Sequence, residues 1–175
     1  MTKYDDIYEL AADNYGLITS AQARAIGVTN NELVQYAQRG KVERVGQGLY
    51  RITHYIPTPY DSYAEAVALV GPGAYLYGES VIAMHKLAPT NPSYMHVATP
   101  NRVRRKLPSY MKVFHIPEGG KITLYEGVPS QTVADAIYSC RGRIMDERLR
   151  DATLKARAKG YLTRAEEQEL LEELS

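Results

Sequence analysis

The sequence predicts an α+β protein in two parts, and three observations lead there. Two capping-box patterns, each followed by a glycine, stand between residues 19 and 40 and define two short consecutive helices. A stretch with the grammar of a hairpin, "RGKVERVGQGLYRI", follows at once. Beyond "HYIPTPY" at 54–60, whose two prolines suit a linker, short alternating stretches are interleaved with helical ones. Helix, short helix, tight turn, helix and hairpin is the order of a winged helix-turn-helix. The rest reads as a small mixed α/β domain, so the expected division is 1–55 and 56–175.

The elements follow in chain order. Ile7, Leu10, Ala11 and Tyr15 share a helical face, which predicts a first helix over 4–15 stopped by Gly16. In "TSAQARAIG" Thr19 is the N-cap, Gln22 its partner three residues on, and Gly27 the end. "TNNELVQYAQRG" repeats this with Thr29, Glu32 and Gly40. In the second part, helices are expected in "YDSYAEAVALVG", "GESVIAMHKL", "SQTVADAIYSC", "DERLRDATLKARAK" and "TRAEEQELLEEL", the last opened by a Thr163–Glu166 capping box after Gly160. Strands are expected at 74–77, 94–99, 111–116 and 121–126.

Charge is informative only when read by segment. The net charge of the 175 residues is +1, so any affinity for nucleic acid must come from local patches. Residues 20–55 hold five Lys/Arg against two acids, and 100–117 hold five bases and no acid. One cysteine, Cys140, cannot form an internal disulfide or a cysteine-based zinc site and fits a reducing compartment. "MTKYDDIYEL" has no basic n-region or apolar h-region, and no apolar run approaches the roughly 18 residues of a membrane span. A cytoplasmic protein without membrane contact is expected.

On the third helix, Leu33, Val34, Tyr36 and Ala37 fall on one broad side, and Asn31, Gln35, Gln38 and Arg39 on the other. Solvated faces are ordinarily rich in Glu and Lys. Asn and Gln pair with adenine N6/N7 and Arg with guanine O6/N7, so this outer face suits base reading in a major groove, although a merely polar exterior would have the same composition. The hairpin supplies context. With Gln47-Gly48 as a two-residue turn, Val45 faces Tyr50, Glu43 faces Ile52, and Arg44 lies opposite Arg51. Opposed like charges are destabilising unless an anion sits beside them, and a phosphate backbone would supply one. Thr19, Lys41, Arg44, Gln47 and Arg51 are therefore the expected backbone contacts. The alternative is a solvated hairpin beside a small core.

These residues also resemble a known family. "GLITSAQARAIGVTNNELVQYAQRGKVERVGQGLYRI" looks like the winged helix of the AbiEi antitoxins of bacterial type IV toxin-antitoxin and abortive-infection (phage-defence) systems. "YLYGESVIAMHKL", "SYMHVATP", "VFHIP" and "YEGVPSQTVADAI" resemble successive pieces of the family's C-terminal domain, in order. The resemblance implies a repressor that binds double-stranded operator DNA at inverted repeats and regulates its own operon. It also implies a second domain that counters a nucleotidyltransferase-type toxin, a partner that composition and spacing do not reveal. A stand-alone regulator whose second domain senses a ligand or oligomerises, and an enzyme acting on nucleotides, are the rival readings.

Catalytic patterns are weak. "VGPGAYLYG" has neither the Lys-Ser/Thr of a phosphate loop nor a full dinucleotide fingerprint. "YGES" is similar to the opening of a nucleotidyltransferase, but no Asp-x-Asp follows to hold magnesium. His54, His85, His96 and His115 lack metal-pair spacing, and Ser80 and His85 are five apart, too far around a helix to act together. No enzyme activity, cofactor or metal is expected. "NRVRRKLPSYMK" remains as a second basic surface over Arg102, Arg104, Arg105 and Lys106, suited to DNA phosphates, RNA or an acidic partner, or simply a solvated loop. The fifteen tyrosines could stack on bases, but only Tyr36 and Tyr50 lie near the reading surface, both on its packed side.

Overall fold

Each capping pattern becomes a helix start in the computed structural model, which describes residues 2–90 and 92–175. Thr2 caps α1 (Lys3–Ala12), Thr19 caps α2 (Ser20–Ala25) and Thr29 caps α3 (Asn30–Gln38), each with a reciprocal capping box. The glycines close the helices as expected. At the end of α2 the Gly27 and Val28 amides donate to Arg24 and Ala23, and at the end of α3 those of Gly40 and Lys41 donate to Ala37 and Tyr36. Gly27 and Gly40 sit at φ +84° and +74°, the left-handed conformation this closure needs. The first helix ends three residues early, because Tyr15 and Gly16 both adopt positive φ.

A strand absent from the sequence reading, β1 (Leu17–Thr19), joins β2 (Val42–Gly46) and β3 (Leu49–Ile52) in an antiparallel sheet of order β1-β3-β2. Both sides of this sheet are covered. Ile18, Tyr50 and Ile52 pack with Ile7, Ala23 and Leu33 in the helical core, while Leu17 and Leu49 face the second half of the chain. There they meet α4 (Asp61–Val70), whose Ala66, Val67 and Leu69 belong to the same core.

The hairpin register differs from the expected one. Val42 faces Ile52, Glu43 faces Arg51 and Arg44 faces Tyr50, with a bulge at Val45 before Gly46 meets Leu49. The turn is where the sequence puts it, and the extra residue shifts everything before it by one. Packing supplies the reason. The bulge lets Val42 enter the helical core while Val45, three residues on, packs on the opposite core. Gly46 carries no side chain where Leu69 of α4 presses on the strand.

The second half holds a five-stranded mixed sheet of order β6-β5-β4-β8-β7, formed by β4 (Tyr75–Leu76), β5 (Met95–Thr99), β6 (Met111–His115), β7 (Ile122–Tyr125) and β8 (Val128–Gln131). Four of these strands fall where the sequence predicts them. β8 lies partly in the stretch read as helix, and α6 (Val133–Ser139) starts only after Thr132 caps it. α5 (Glu79–Met84), α6, α7 (Asp146–Ala158) and α8 (Arg164–Glu173) enclose a further core around Ile82, Ile137, Leu149 and Leu170. Together the helices, the antiparallel sheet and the mixed sheet make the chain α+β.

Candidate nucleic-acid interface

The outward stripe of α3 consists of Asn31, Val34, Gln35 and Gln38, spaced as neighbours on one helical face and all exposed. Val34 is a departure from the sequence reading, which put it on the packed side; it is 46% exposed. Leu33 alone anchors the helix fully, with Tyr36 and Ala37 partly buried beside it. Arg39 caps the C-terminus and is exposed.

Charge around this stripe is arranged so that its one acid is neutralised. Glu32 accepts from Lys3 Nζ at 2.9 Å, tying α1 to α3. Hydrogen bonds from Lys3, then from Thr29, hold its carboxyl below the usual range. Lys41, placed by the glycine closure, lies with Nζ 4.4 Å from the centre of the Tyr4 ring. Arg44 is exposed and, among the described residues, bonds only the Gly46 carbonyl, at 3.3 Å. Gln47 is exposed at the hairpin tip. Among the described residues, no carboxylate lies within ion-pair distance of Arg39, Lys41 or Arg44. The Thr19 hydroxyl accepts the Gln22 amide at 3.0 Å as a helix cap, which leaves its proton free to donate.

Arg51 does not join this group. Alternation along β3 puts it on the α4 side with Leu49, where Nη2 meets Glu65 Oε2 at 3.3 Å and only 17% of the side chain is exposed, while the bulge in β2 moves Arg44 to the other face. Arg51 is therefore part of the contact between the sheet and α4, and the anticipated Arg44–Arg51 opposition does not form. Nearby, Tyr55 and Thr58 hydroxyls donate to Asp61 at 2.8 and 2.7 Å. Burial opposes the Asp61 charge, but these bonds outweigh it and hold the carboxyl below its usual value.

The basic loop of the second half comes up beside the hairpin tip. Gly46 and Gln47 share a 270 Å³ cleft with Leu69, Arg105, Lys106, Leu107 and Pro108. Arg102, Arg104, Arg105 and Lys106 are exposed, while Val103 and Leu107 pack into the central core.

Elsewhere, the polar residues that might suggest catalysis have structural roles. Ser80 is fully buried and accepts the His96 amide at 2.8 Å. Gln131 accepts the Gly78 amide and donates to Ser139. His85 is buried between Tyr125 and Tyr161, and burial, followed by nearby Lys159, pushes its pKa down to about 4. Burial pushes the Cys140 thiol up to about 12, which makes it a poor nucleophile. Among the described residues there is no cluster of three or more metal-ligating side chains, and no helix is long and apolar enough to cross a membrane.

Comparison with known proteins places this geometry. Residues 5–53, which hold the helices and hairpin that carry the stripe, match the model of a family described as "Transcriptional regulator, AbiEi antitoxin". Among solved structures, the chain is similar to the crystal structure of RV2827C protein from Mycobacterium tuberculosis, at 14% identity and a TM-score of 0.42, over 98% of this chain and 81% of that one. No curated protein matches.

Proposed function

We propose that this chain, with its AbiEi-type regulator domain at 5–53, is a cytoplasmic antitoxin of a type IV system that represses its own operon and counters a nucleotidyltransferase-type toxin encoded beside it. The observation that carries the DNA-binding half is the exposed amide stripe of α3, flanked by unpaired cations and with its one acid neutralised by Lys3. α3 enters the major groove of operator DNA at each of two inverted repeats. Asn31, Gln35, Gln38 and Arg39 meet base edges, and Val34 offers an apolar contact to a thymine methyl. Lys41, Arg44 and Gln47 take backbone phosphates, and the Thr19 hydroxyl donates to another. The family description supports the antitoxic role.

The experiment has two arms. Binding to duplexes from the DNA upstream of the gene is measured by fluorescence anisotropy with systematic base changes. Gln35→Ala is expected to lose about 1–3 kcal/mol of discrimination at one base position in each repeat. Equal losses on upstream and scrambled DNA would refute base reading by α3. In the second arm the adjacent gene is induced with and without this chain. Rescue of growth is expected, and toxicity unaffected by this chain would refute the antitoxin role.

A further inference from the structure

We propose that the loop over residues 102–106 is a second phosphate-contacting surface, continuous with the hairpin tip, which extends the grip on duplex DNA along its backbone. The inference rests on the DNA-binding reading above and goes beyond it by assigning part of the second half of the chain to the same ligand.

The loop is built to present charge. Val103 and Leu107 are drawn into the core formed by α4 and the five-stranded sheet, which pins the segment at both ends. Arg105 is spent on positioning. Its Nη2 donates to the carbonyl of Val70 at 3.2 Å, at the C-terminal end of α4, where a cation suits the helix dipole. Gly71 makes room for it, since a Cβ there would stand 2.9 Å from that nitrogen. Alternating with these anchors, Arg102, Arg104 and Lys106 are left outward and exposed.

Nothing among the described residues answers their charge. Among the described residues no carboxylate is within ion-pair distance of any of the four cations, and the segment from 100 to 117 contains no acid. His115, whose ring bonds the Pro100 carbonyl at 3.2 Å, lies beside Arg102, Arg104 and Arg105 on the same surface. A pinned cluster of like charges accepts self-repulsion that an external polyanion relieves. Its position selects the polyanion. Lys106 shares a cleft with Gln47 at the hairpin tip, so a backbone lying along the hairpin continues onto the loop.

The test compares the salt dependence of binding to a mixed-sequence DNA duplex of about 40 base pairs, where phosphate contacts alone are read. The proteins are the full chain, its triple variant Arg102→Gln/Arg104→Gln/Lys106→Gln, and Arg102→Lys/Arg104→Lys. Each phosphate contact contributes about 0.9 to the slope of log K against log salt, so the triple variant is expected to lose about 2–3. The lysine variant is expected to keep the slope. Thermal unfolding should be unchanged in both, since only exposed side chains are altered. A triple variant with wild-type slope would overturn the inference while leaving the α3 reading standing. If that variant also lost toxin neutralisation, the loop would be assigned to the protein partner instead. Wild-type protein that binds no duplex at all would overturn the DNA-binding reading, and the inference with it.

Discussion

The two basic segments of this chain look alike in sequence and are used differently. In the hairpin, Lys41, Arg44 and Arg51 are dealt to three environments: over the Tyr4 ring, free at the surface, and bridged to Glu65 beneath the sheet. In the loop, Val103, Leu107 and the Arg105 anchor hold the segment so that the other three cations all face out. Density of positive residues in a sequence is thus not yet a positive surface. Strand register and the apolar residues between the charges decide how many of them reach a ligand.

The largest expected effect probes the side of the sheet on which Arg51 lies. Leu49 is 1% exposed in the core shared with α4, and Leu49→Ala should destabilise the protein by about 2–5 kcal/mol in urea denaturation. A change within about 0.5 kcal/mol, the range of an ordinary surface substitution, would mean that this face is not a packed interface and would reopen Arg51 as a surface residue.

His85 tests whether the second half also encloses its polar groups. Burial, followed by nearby Lys159, pushes its pKa down to about 4 in the folded chain, from the ordinary histidine value of 6.5. The unfolded chain therefore binds the proton first, and the neutral histidine's contribution to stability is present above about pH 6.5 and lost as pH falls toward about 4. His85→Phe should flatten stability against pH across that window, by no more than about 3 kcal/mol over its width. Parallel curves for variant and wild type would show that His85 is solvated.

The local grammar of the chain was legible in its residues. Thr19 with Gln22, Thr29 with Glu32 and Thr163 with Glu166 all form reciprocal capping boxes, because both partners lie within one helical turn and need no tertiary context. Gly27, Gly40 and Gly160 close helices for the same reason. What could not be read depends on distant packing. The bulge at Val45 exists because two cores claim Val42 and Val45, and one of them is built by α4. β1 has three residues and β4 two, too short for alternation to distinguish a strand from a turn. A strand is nevertheless expected at 74–77, ahead of the helix in "GESVIAMHKL", whereas β8 is absorbed into the apolar spacing of the following helix.

The candidate interface shows the same division. Asn31, Gln35, Gln38 and Arg39 are exposed as their positions on the helix predict. Val34 shares their stripe at i+3 from Asn31 and i−4 from Gln38, a signal present in the spacing but overridden by its apolar character. Nothing in the sequence could reveal that Arg51 would meet Glu65, fourteen residues away, or that Lys106 would stand beside Gln47.

The most direct measurement is the salt slope of duplex binding for Arg44→Gln and Arg51→Gln side by side, with the unfolding midpoint of each. Arg44→Gln should lower the slope by about one and leave stability unchanged, because it removes one free phosphate contact. Arg51→Gln should leave the slope unchanged and lower stability by roughly 1 kcal/mol, because it breaks a partly buried ion pair and touches no DNA. A slope reduced equally by both substitutions would contradict this account and put Arg51 back on the DNA.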